Sequence, residues 1–471
     1  MTIIIPANTL ADATVDNASC RFNDGDSAYM HKNLGTVSSG TAGTFSCWVK
    51  RGVAGAQGAF FSSASDTNNK NQFYFTSGNV LEFYGKAGGS QNVYLQTTAV
   101  YRDPSAWYHL VLAWDTTQGT AANRVKLYVN GAQYTWDAQT TQPAEDAVLR
   151  TNVSGENFKI GATEGPTDYF DGYMAEVVFI DGTQYAASDF GQFDSDSPTI
   201  WKPKDVSGLT FGNNGFYLDF GTTASLGKDA NGGTDWAETN LAAVDQATDT
   251  PTNSFATLNP LLKSLTNPTV LSEGNCKSVL VGSSNADWGG GSTIGLSAGK
   301  WYWEVKPSND ISSSGSLIGV TDDPAEVARS SDQELTYTTP IGYGYKDNGN
   351  KRINLTGSEA DTSYGDSYAN DDIIGVALNM DDLELTFYKN GAVQNSGTAI
   401  SMTASTHSGF YFPGTSKTGT ATCTFEYNFG GCSAFALSSA AADENDYGNF
   451  EYAPPSGYLA ICTKNLGSDG G

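Results

Sequence analysis

Positive charge is scarce in this 471-residue chain, which has 25 lysine and arginine residues against 51 acidic residues and a net charge of −26. A surface of that sign repels phosphate, so the composition argues against nucleic-acid binding and against docking on anionic membranes. Apolar runs are short, and none approaches the roughly 18 residues that a membrane-spanning helix needs. The first ten residues, MTIIIPANTL, lack a basic segment before their apolar run, so we expect no signal peptide.

Histidine and cysteine are too few and too scattered for the common catalytic and metal sites. The chain has three histidines and six cysteines, with no CxxC pair, so neither zinc-ligand spacing nor a disulfide framework is indicated. A pair between Cys423 and Cys432 stays open, but thiols in a reducing compartment are the simpler interpretation. The sequence also lacks a GxSxG nucleophile elbow and a P-loop.

Turn formers and aromatic residues are abundant instead. Aromatic residues make up 12% of the chain, glycine occurs 53 times and proline 15 times, a profile typical of β-sandwiches joined by many turns. Two distant stretches, VKLYVNGAQ (125–133) and LTFYKNGAVQ (385–394), alternate apolar and polar residues and then reach Asn-Gly. Asn-Gly tolerates the positive φ of a tight turn, so each stretch predicts a hairpin within its own β domain.

A series of alternating segments fills the first part of the chain. These segments are FSCWVK (45–50), WYHLVLAWD (107–115), LYVNG (127–131), FKIG (158–161) and YFDGYMAEVVFID (169–181). In this order they resemble the laminin-G-like, concanavalin-A-like jelly-roll family, which we assign to residues 1–217. The resemblance implies an antiparallel sandwich, a packed histidine at His109 and, in many members, a calcium ion at the rim of a sheet.

A second series of segments follows in the other half. These segments are GKWYWEVK (299–306), GSLIGVTDD (315–323), PIGYGYKDNGN (340–350), DIIGVALNMDDLELTFYKNGAVQ (372–394) and GFYFPGT (409–415). Their order and spacing resemble the SPRY domain, which we assign to residues 270–430. That resemblance implies a second sandwich of two antiparallel sheets, whose loops form a peptide-binding surface.

Two segments lie outside these blocks. Residues 218–269 are rich in Asp, Thr, Asn and Gly, and we interpret them as a linker packed on the domains, because Trp236, Phe255 and Leu258 need burial. Residues 431–471 are expected to fold back on the SPRY-like domain as an edge strand. The phrase DTPTNSFATLNPL in the linker and the carboxyl-terminal segment both resemble parts of bacteriophage virion proteins. The predicted fold class is all-β, with two antiparallel concanavalin-like jelly-roll sandwiches in tandem and a packed irregular linker.

Loops of the SPRY-like block are the predicted ligand site. Tyrosine rings beside aspartate and asparagine side chains can stack on a pyranose and hydrogen-bond to it. The alternative is that these tyrosines only cover the edge of the sandwich. The candidate residues are Asp347, Asn348, Asn350, Asp361, Tyr364 and Tyr368.

Metal and catalytic sites are weaker hypotheses. Asp66, Asp168 and Asp171 lie in turns and could supply oxygen ligands to a structural calcium ion, but no EF-hand-like regularity accompanies them, so no cofactor is expected. A jelly-roll glucanase needs paired carboxyl groups on one strand face. The nearest run, DDLELTF, places Asp382 and Glu384 on one face, and a solvated strand face explains it as well. We therefore predict no catalytic residue.

The resemblance of the linker and of the carboxyl-terminal segment, together with this pairing of domains, implies a non-enzymatic bacteriophage virion protein, such as a tail fibre, spike or other exposed appendage. Its expected partners are other virion proteins, a host-surface glycan or protein, and further copies of itself. It is expected at the virion surface after synthesis in the host cytoplasm. The first alternative is a capsid decoration or head-fibre protein that stabilises the shell. A polysaccharide-degrading enzyme and a cellular SPRY adaptor are further alternatives.

Overall fold

The structure is a computed structural model that describes residues 18–137, 140–264, 269–281, 287–309, 311, 315–329, 334–336, 341–355 and 359–468. The amino-terminal segment behind the signal-peptide prediction, and the first residue of the 340–350 motif, lie outside these ranges. Within the described ranges, no helix is both long and apolar enough to cross a membrane.

Two compact units meet in sequence between Thr252 and Asn253, and we call them the first and the second sandwich. Both are built from antiparallel sheets of alternating strands, which confirms the predicted all-β fold class of tandem concanavalin-like sandwiches. Residues 218–269, interpreted from composition as a linker, contribute strands or core residues to both units. Trp236, Phe255 and Leu258 are all buried, as their apolar character requires.

The first sandwich contains seventeen strands in the described part of the chain. They are β1 (Ser19–Phe22), β2 (Tyr29–Asn33), β3 (Ala42–Arg51), β4 (Gly58–Asp66), β5 (Asn69–Phe75), β6 (Leu81–Ala87), β7 (Ser90–Gln96), β8 (Trp107–Asp115), β9 (Val125–Val129), β10 (Ala132–Tyr134), β11 (Asn157–Ile160), β12 (Gly172–Asp181), β13 (Gly191–Phe193), β14 (Trp201–Pro203), β15 (Phe216–Leu218), β16 (Ala237–Thr239) and β17 (Gln246–Ala247).

These strands form two large sheets. The eight-stranded sheet has the order β10-β9-β8-β3-β12-β1-β17, with β15 also paired to β12, and the seven-stranded sheet has the order β16-β2-β11-β4-β5-β6-β7. Alternation on β3 turns Phe45, Cys47 and Val49 into the core between the sheets, as the sequence predicts. A short β13–β14 hairpin lies outside both sheets.

The outer face of the eight-stranded sheet is covered by its own chain. Val111 and Val178 pack there with Phe190, Val206 and other apolar residues of the segment that follows β12. This segment covers that part of the face.

The second sandwich contains a further seventeen strands and two short helices in the described part. They are β18 (Thr269–Ser272), β19 (Lys277–Leu280), β20 (Asp287–Gly291), β21 (Lys300–Ser308), β22 (Leu317–Thr321), β23 (Gly342–Lys346), β24 (Asn350–Asn354), β25 (Glu359–Ser363), β26 (Ile374–Asn379), β27 (Glu384–Lys389), β28 (Ala392–Val393), β29 (Ile400–Ser401), β30 (Phe412–Lys417), β31 (Cys423–Asn428), β32 (Ala441–Ala442), β33 (Asn449–Phe450) and β34 (Leu459–Ala460), with α1 (Pro324–Arg329) and α2 (Thr463–Ser468). Single-turn 3₁₀ helices in the two sandwiches lie at Asp24–Asp26, Ala121–Asn123, Arg150–Asn152, Ala187–Asp189, Ala243–Asp245 and Asn395–Gly397.

A nine-stranded and a six-stranded sheet enclose the second core. The nine-stranded sheet has the order β18-β19-β31-β21-β26-β27-β28, with β29 on β27 and β34 on β21, and the six-stranded sheet has the order β20-β30-β22-β23-β24-β25. The carboxyl-terminal extension lies on the nine-stranded sheet, where β34 pairs in parallel with β21. The buried carboxylate of Glu304 on β21 accepts the backbone N–H groups of Glu451 and Tyr452, each at 2.9 Å, and so ties the extension down.

Both predicted Asn-Gly hairpins are present, as β9–β10 and β27–β28. Asn130 and Asn390 each have a φ of 48°, and the following glycine has a φ of about 80°. In each hairpin the asparagine side chain accepts a hydrogen bond of 2.8 Å from the backbone N–H of a residue elsewhere in the same sandwich. The donor is His109 for Asn130 and Ile373 for Asn390. The same local solution therefore recurs in two sandwiches of different strand order.

All six cysteines are buried, and none of them forms a disulfide in this structure. Burial raises the pKa of the Cys47 thiol well above its usual value, which keeps it protonated and unreactive. The open alternative of a Cys423–Cys432 pair is therefore wrong in this structure.

Candidate functional site

Three adjacent strands of the seven-stranded sheet carry a set of tyrosine, glutamine and charged side chains on their outer face. Alternation buries Phe73 of β5 and Phe83 of β6 in the core and turns the residues between them outward. We call this outward set the tyrosine face. Its members are Lys70, Gln72 and Tyr74 of β5, Glu82, Tyr84 and Lys86 of β6, and Tyr94 and Gln96 of β7.

Strand register arranges the tyrosine face in rows. Tyr74 lies opposite Glu82, which lies opposite Gln96. The next row is Gln72, Tyr84 and Tyr94, and Lys70 lies opposite Lys86 beyond it. Side chains directly opposite each other in an antiparallel pair are in contact range, so three strands that are separate in sequence produce one continuous surface.

An open depression of about 540 Å³ lies on this surface. Its floor comes from β5 and β6, and one wall comes from the loop that follows β11. The lining residues are Gln57, Thr67, Lys70, Gln72, Tyr74, Glu82, Tyr84, Lys86, Thr163, Glu164, Gly165, Thr167 and Asp168. The depression thus combines aromatic rings with amide, hydroxyl and charged groups, which is the composition of a site for a polar ligand.

Glu82 lies at one end of the depression and is mostly buried. The Tyr74 hydroxyl donates a hydrogen bond to one of its carboxylate oxygens, and Gln96 Nε2 donates to the other at 3.0 Å. Burial raises the pKa of the Glu82 carboxyl, against the opposing effect of these hydrogen bonds. Burial also raises the pKa of the Tyr74 hydroxyl, so Tyr74 stays a hydrogen-bond donor across the physiological range.

The two lysines lie at the other end. Lys70 is 3.8 Å from a carboxylate oxygen of Glu164 on the wall loop. The Lys86 ammonium lies 6.0 Å from the centre of the Tyr84 ring, within the range of a cation–π contact. The depression therefore has a basic end and an acidic end with a tyrosine between them.

The predicted loop site in the second sandwich has a different character. Tyr364 and Tyr368 are only 4% exposed and pack against Tyr345, with ring centres 5.6 and 5.3 Å away. The Tyr368 hydroxyl donates to the carbonyl oxygens of Ser316 and Tyr345. The expectation that these two rings are exposed for stacking is wrong, because they fill the space between the two sheets.

The four other candidates of that loop site lie at the surface or half-buried. Asp361 bonds to Arg352 through Nε at 2.5 Å and through Nη2 at 3.0 Å, and to Lys346 at 2.9 Å. Hydrogen bonds from Arg352 lower the pKa of Asp361 to about 2. Asn348 Oδ1 accepts the N–H of Asn350 within its own turn.

Asp347 is half-buried, and its desolvation raises the pKa of its carboxyl. Its backbone N–H donates to the Ser316 carbonyl, and its carbonyl accepts the N–H of Tyr368. Ligand binding by Asp347, Asn348, Asn350 and Asp361 stays a prediction, but most of their observed bonds serve the fold.

The calcium candidates lie in two separate segments, Asp66 in one and Asp168 and Asp171 in the other. The Asp66 carboxylate accepts the N–H of Asn68 at 2.7 Å in the β4–β5 turn. The Asp168 carboxylate accepts the hydroxyl groups of Thr163 and Thr167 at 3.0 and 3.3 Å. Asp171 is buried beside β12. No group of three or more histidine, cysteine, aspartate or glutamate side chains gathers in metal-binding range within the described residues, and calcium binding stays a prediction.

His109 shows a serine–histidine contact that is structural. Trp201 Nε1 donates to His109 Nδ1 at 2.9 Å, so the neutral ring carries its proton on Nε2 and donates it to Ser46 Oγ at 2.9 Å. A histidine that donates to serine cannot accept the serine proton as a general base. Burial lowers the pKa of His109 to about 3 and keeps the ring neutral. The predicted packed role of His109 is confirmed.

The tyrosine face was missed by reasoning from the sequence. The available signal was alternation in NQFYF (71–75) and LEFYGK (81–86), where Tyr74 stands between two core phenylalanines and Glu82 between a core leucine and a core phenylalanine. Such an outward tyrosine becomes informative only when the strand register places it beside others.

Comparisons with known proteins identify a domain in each sandwich. Residues 23–187 match the family described as the concanavalin A-like lectin/glucanases superfamily, and residues 300–431 match the SPRY domain family. These matches confirm both domain resemblances inferred from the sequence motifs. A search of curated proteins gave no match.

The solved structures to which the chain is similar are distant in sequence. The SPRY domain of human HERC1 is 16% identical, covering 36% of this chain and 94% of its own, with a TM-score of 0.27. A putative carbohydrate binding protein from Bacteroides ovatus is 15% identical, covering 48% and 58%, with a TM-score of 0.33. Domains LG4-5 of the mouse laminin alpha1 chain are 10% identical, covering 90% and 92%, with a TM-score of 0.30.

Proposed function

We propose that this chain is a recognition protein that binds a saccharide at the tyrosine face of the first sandwich. The observation that carries the proposal is the open depression, where the Tyr84 ring lies beside amide and carboxyl groups, with Tyr94 opposite Tyr84 on the next strand. Aromatic rings offer an apolar surface to the C–H face of a sugar, and the polar neighbours hydrogen-bond its hydroxyl groups. The lectin-like family match of this sandwich supports a binding role.

Three side chains of the depression have different roles in the proposed saccharide binding. Tyr84 is half-buried and opposite Gln72 and Tyr94, so its ring forms the central platform. Gln72 supplies both a donor and an acceptor for sugar hydroxyl groups. Glu82 is already fixed by Tyr74 and Gln96, so it can accept a further hydrogen bond without losing side-chain freedom on binding.

We further propose that the protein acts without catalysis or a cofactor, as an exposed appendage of a bacteriophage virion that adheres to a host glycan or protein. Support comes from the resemblance of the linker sequence and of the carboxyl-terminal sequence to parts of bacteriophage virion proteins. The second sandwich would then hold the chain to other virion proteins. Synthesis in the host cytoplasm, assembly as a homo-oligomer and display at the virion surface belong to the same proposal.

Two other functions make different demands. Capsid decoration would place the chain at regular positions on the head, which antibody-labelled micrographs of particles distinguish from a tail position. A polysaccharide-degrading enzyme would release reducing ends from its ligand. The Ser46–His109 contact gives no support to an enzyme with a serine nucleophile, because His109 Nε2 donates its proton to Ser46 Oγ and cannot accept the serine proton.

The binding proposal is tested with Tyr84→Ala on a panel of immobilised host-surface and plant oligosaccharides. We expect wild type to bind members of the panel and Tyr84→Ala to lose at least about tenfold in affinity, or ~1.4 kcal/mol. Tyr29→Ala is the matched control, because Tyr29 is also half-buried on the seven-stranded sheet but does not line the depression.

Equal thermal unfolding of the two variants shows that the loss is local. Binding that Tyr84→Ala leaves unchanged would refute the assignment to the tyrosine face. Absence of binding to every member of the panel would refute the saccharide proposal itself.

A further inference from the structure

The tyrosine face is charged unevenly, and this asymmetry specifies its ligand further. We infer, on the basis of the saccharide site proposed above, that the depression binds an acidic saccharide in one orientation. The carboxylate or sulfate of the ligand lies at Lys86 and Lys70, and its neutral hydroxyl groups extend across Tyr84 towards Glu82.

The lysine pair is the first observation behind this inference. Lys70 and Lys86 stand directly opposite each other on β5 and β6, where like charges destabilise a sheet. Glu164 offsets Lys70 from 3.8 Å. Among the described residues, no carboxylate lies within ion-pair distance of the Lys86 ammonium. The arrangement therefore retains a positive charge at the mouth of the depression that an anion would neutralise.

The rarity of positive charge strengthens the argument. The chain has 25 basic residues against 51 acidic ones, so its overall field repels anions. Two lysines that face each other inside one depression are a local exception to that field. Since Lys86 also lies over the Tyr84 ring, an anionic group bound to its ammonium would be held beside the central platform.

The acidic end gives the direction of binding. Glu82 is four residues from Lys86 on the same strand, about 13 Å away at the rise of an extended chain. The backbone carbonyl of Asp168 accepts the N–H of Ala59, and Ala59 lies opposite Tyr74, so Asp168 lies at the Glu82 end. An anionic substituent there would meet two carboxyl groups, whereas the reverse orientation places it at the lysines.

Matched ligand pairs test the charge requirement. The first pair is a tetragalacturonate and its methyl ester, and the second is lactose 3′-sulfate and lactose, so that each pair has one acidic and one neutral member. Titration calorimetry on the full chain should show the acidic member of at least one pair binding about tenfold more tightly, as a charge-assisted hydrogen bond provides. The pair that shows the preference identifies carboxylate or sulfate as the preferred group.

Variants locate the effect at the lysine end. We expect Lys86→Gln to remove the preference for the acidic member, and Lys86→Arg to retain most of it. Lys228→Gln is the control, because Lys228 is an exposed lysine of the same sandwich that does not line the depression. Unfolding curves of both Lys86 variants verify that the sandwich is intact.

The outcomes separate this inference from the function on which it rests. If acidic and neutral members bind equally and Tyr84→Ala weakens both, the saccharide site stands and the acidic-ligand inference is refuted. If Lys86→Gln keeps the full preference, the inference is refuted as well. If no saccharide binds, the proposed function and the inference both fall.

Discussion

The outer faces of the seven-stranded sheet in the first sandwich and the six-stranded sheet in the second sandwich use the same alternation to opposite effect. On the six-stranded sheet, Lys346, Arg352 and Asp361 occupy three adjacent strands, and Lys346 and Arg352 each form an ion pair with Asp361. On the seven-stranded sheet, the central positions are occupied by Tyr84 and Tyr94, beside an open depression. A face whose charged groups satisfy each other serves stability, whereas a face that leaves ring surfaces and an ammonium free can bind a ligand.

Two carboxyl groups show the same contrast in their pKa. Arg352 lowers the pKa of Asp361 to about 2 because it hydrogen-bonds to the charged form. Burial raises the pKa of Glu82, and the opposing hydrogen bonds come from the neutral donors Tyr74 and Gln96 and not from a cation. Ionisation of Asp361 therefore stabilises its sheet, whereas ionisation of Glu82 lowers the stability of the fold.

The largest expected effect comes from breaking the ionic face. Arg352 also pairs with Glu334, whose side chain is only 5% exposed, so Arg352→Ala would leave a buried carboxylate without its cation. We expect the free energy of unfolding to fall by about 2–4 kcal/mol, with saccharide binding unchanged. Urea unfolding followed by tryptophan fluorescence measures the loss.

Lys306→Ala is the control for that experiment. Lys306 pairs with Asp371, whose side chain is 70% exposed, and at 3.8 Å with Glu426, which keeps Lys277 as a partner, so removal of Lys306 should cost less than about 1 kcal/mol. Equal losses from Arg352→Ala and Lys306→Ala would contradict the structural role assigned to the ionic face.

A smaller effect is the pH dependence of stability, which should differ in sign between Asp361 on the ionic face and Glu82 on the tyrosine face. The stability that Asp361 contributes is present above its ordinary pKa of 3.8 and is lost as the pH falls towards about 2. For Glu82 the sign is reversed, because its folded pKa is raised above 4.5. Its favourable contribution is present below pH 4.5 and is lost as the pH rises through the folded pKa.

Relative to wild type, Asp361→Asn should therefore lose stability as the pH rises from about 2 to about 3.8, and Glu82→Gln should gain stability as the pH rises above 4.5. The midpoints of urea unfolding at a series of pH values measure both slopes. Slopes of the same sign in the two variants would show that the two carboxyl groups do not differ as described.

Much of the fold was predictable from the sequence because it depends on local pattern. Alternation places Phe45, Cys47 and Val49 in the core, and Asn-Gly supplies the positive φ that both hairpins need. Both features depend on residues that are close together in the sequence, so one sequence is enough to predict them.

The site was less predictable because it depends on which surfaces remain uncovered. Tyr364 and Tyr368 stand in a polar stretch typical of an exposed loop, but the space between the sheets around Tyr345 takes up both rings. Tyr84 and Tyr94 lie on strands that appear ordinary in sequence, and only the register of β6 and β7 brings them together. Which side chains become buried and which strands pair in which register both depend on the tertiary structure, and not on neighbouring residues in the sequence.

The most direct test of the central claim is hydroxyl-radical footprinting of the full chain with and without saturating tetragalacturonate. The account predicts that oxidation of Tyr84 and Tyr94 falls several-fold in the complex, while Tyr388 and Tyr452, which are half-buried in the second sandwich, do not change. Unchanged oxidation of Tyr84 and Tyr94 in a complex whose formation is verified by calorimetry would contradict it.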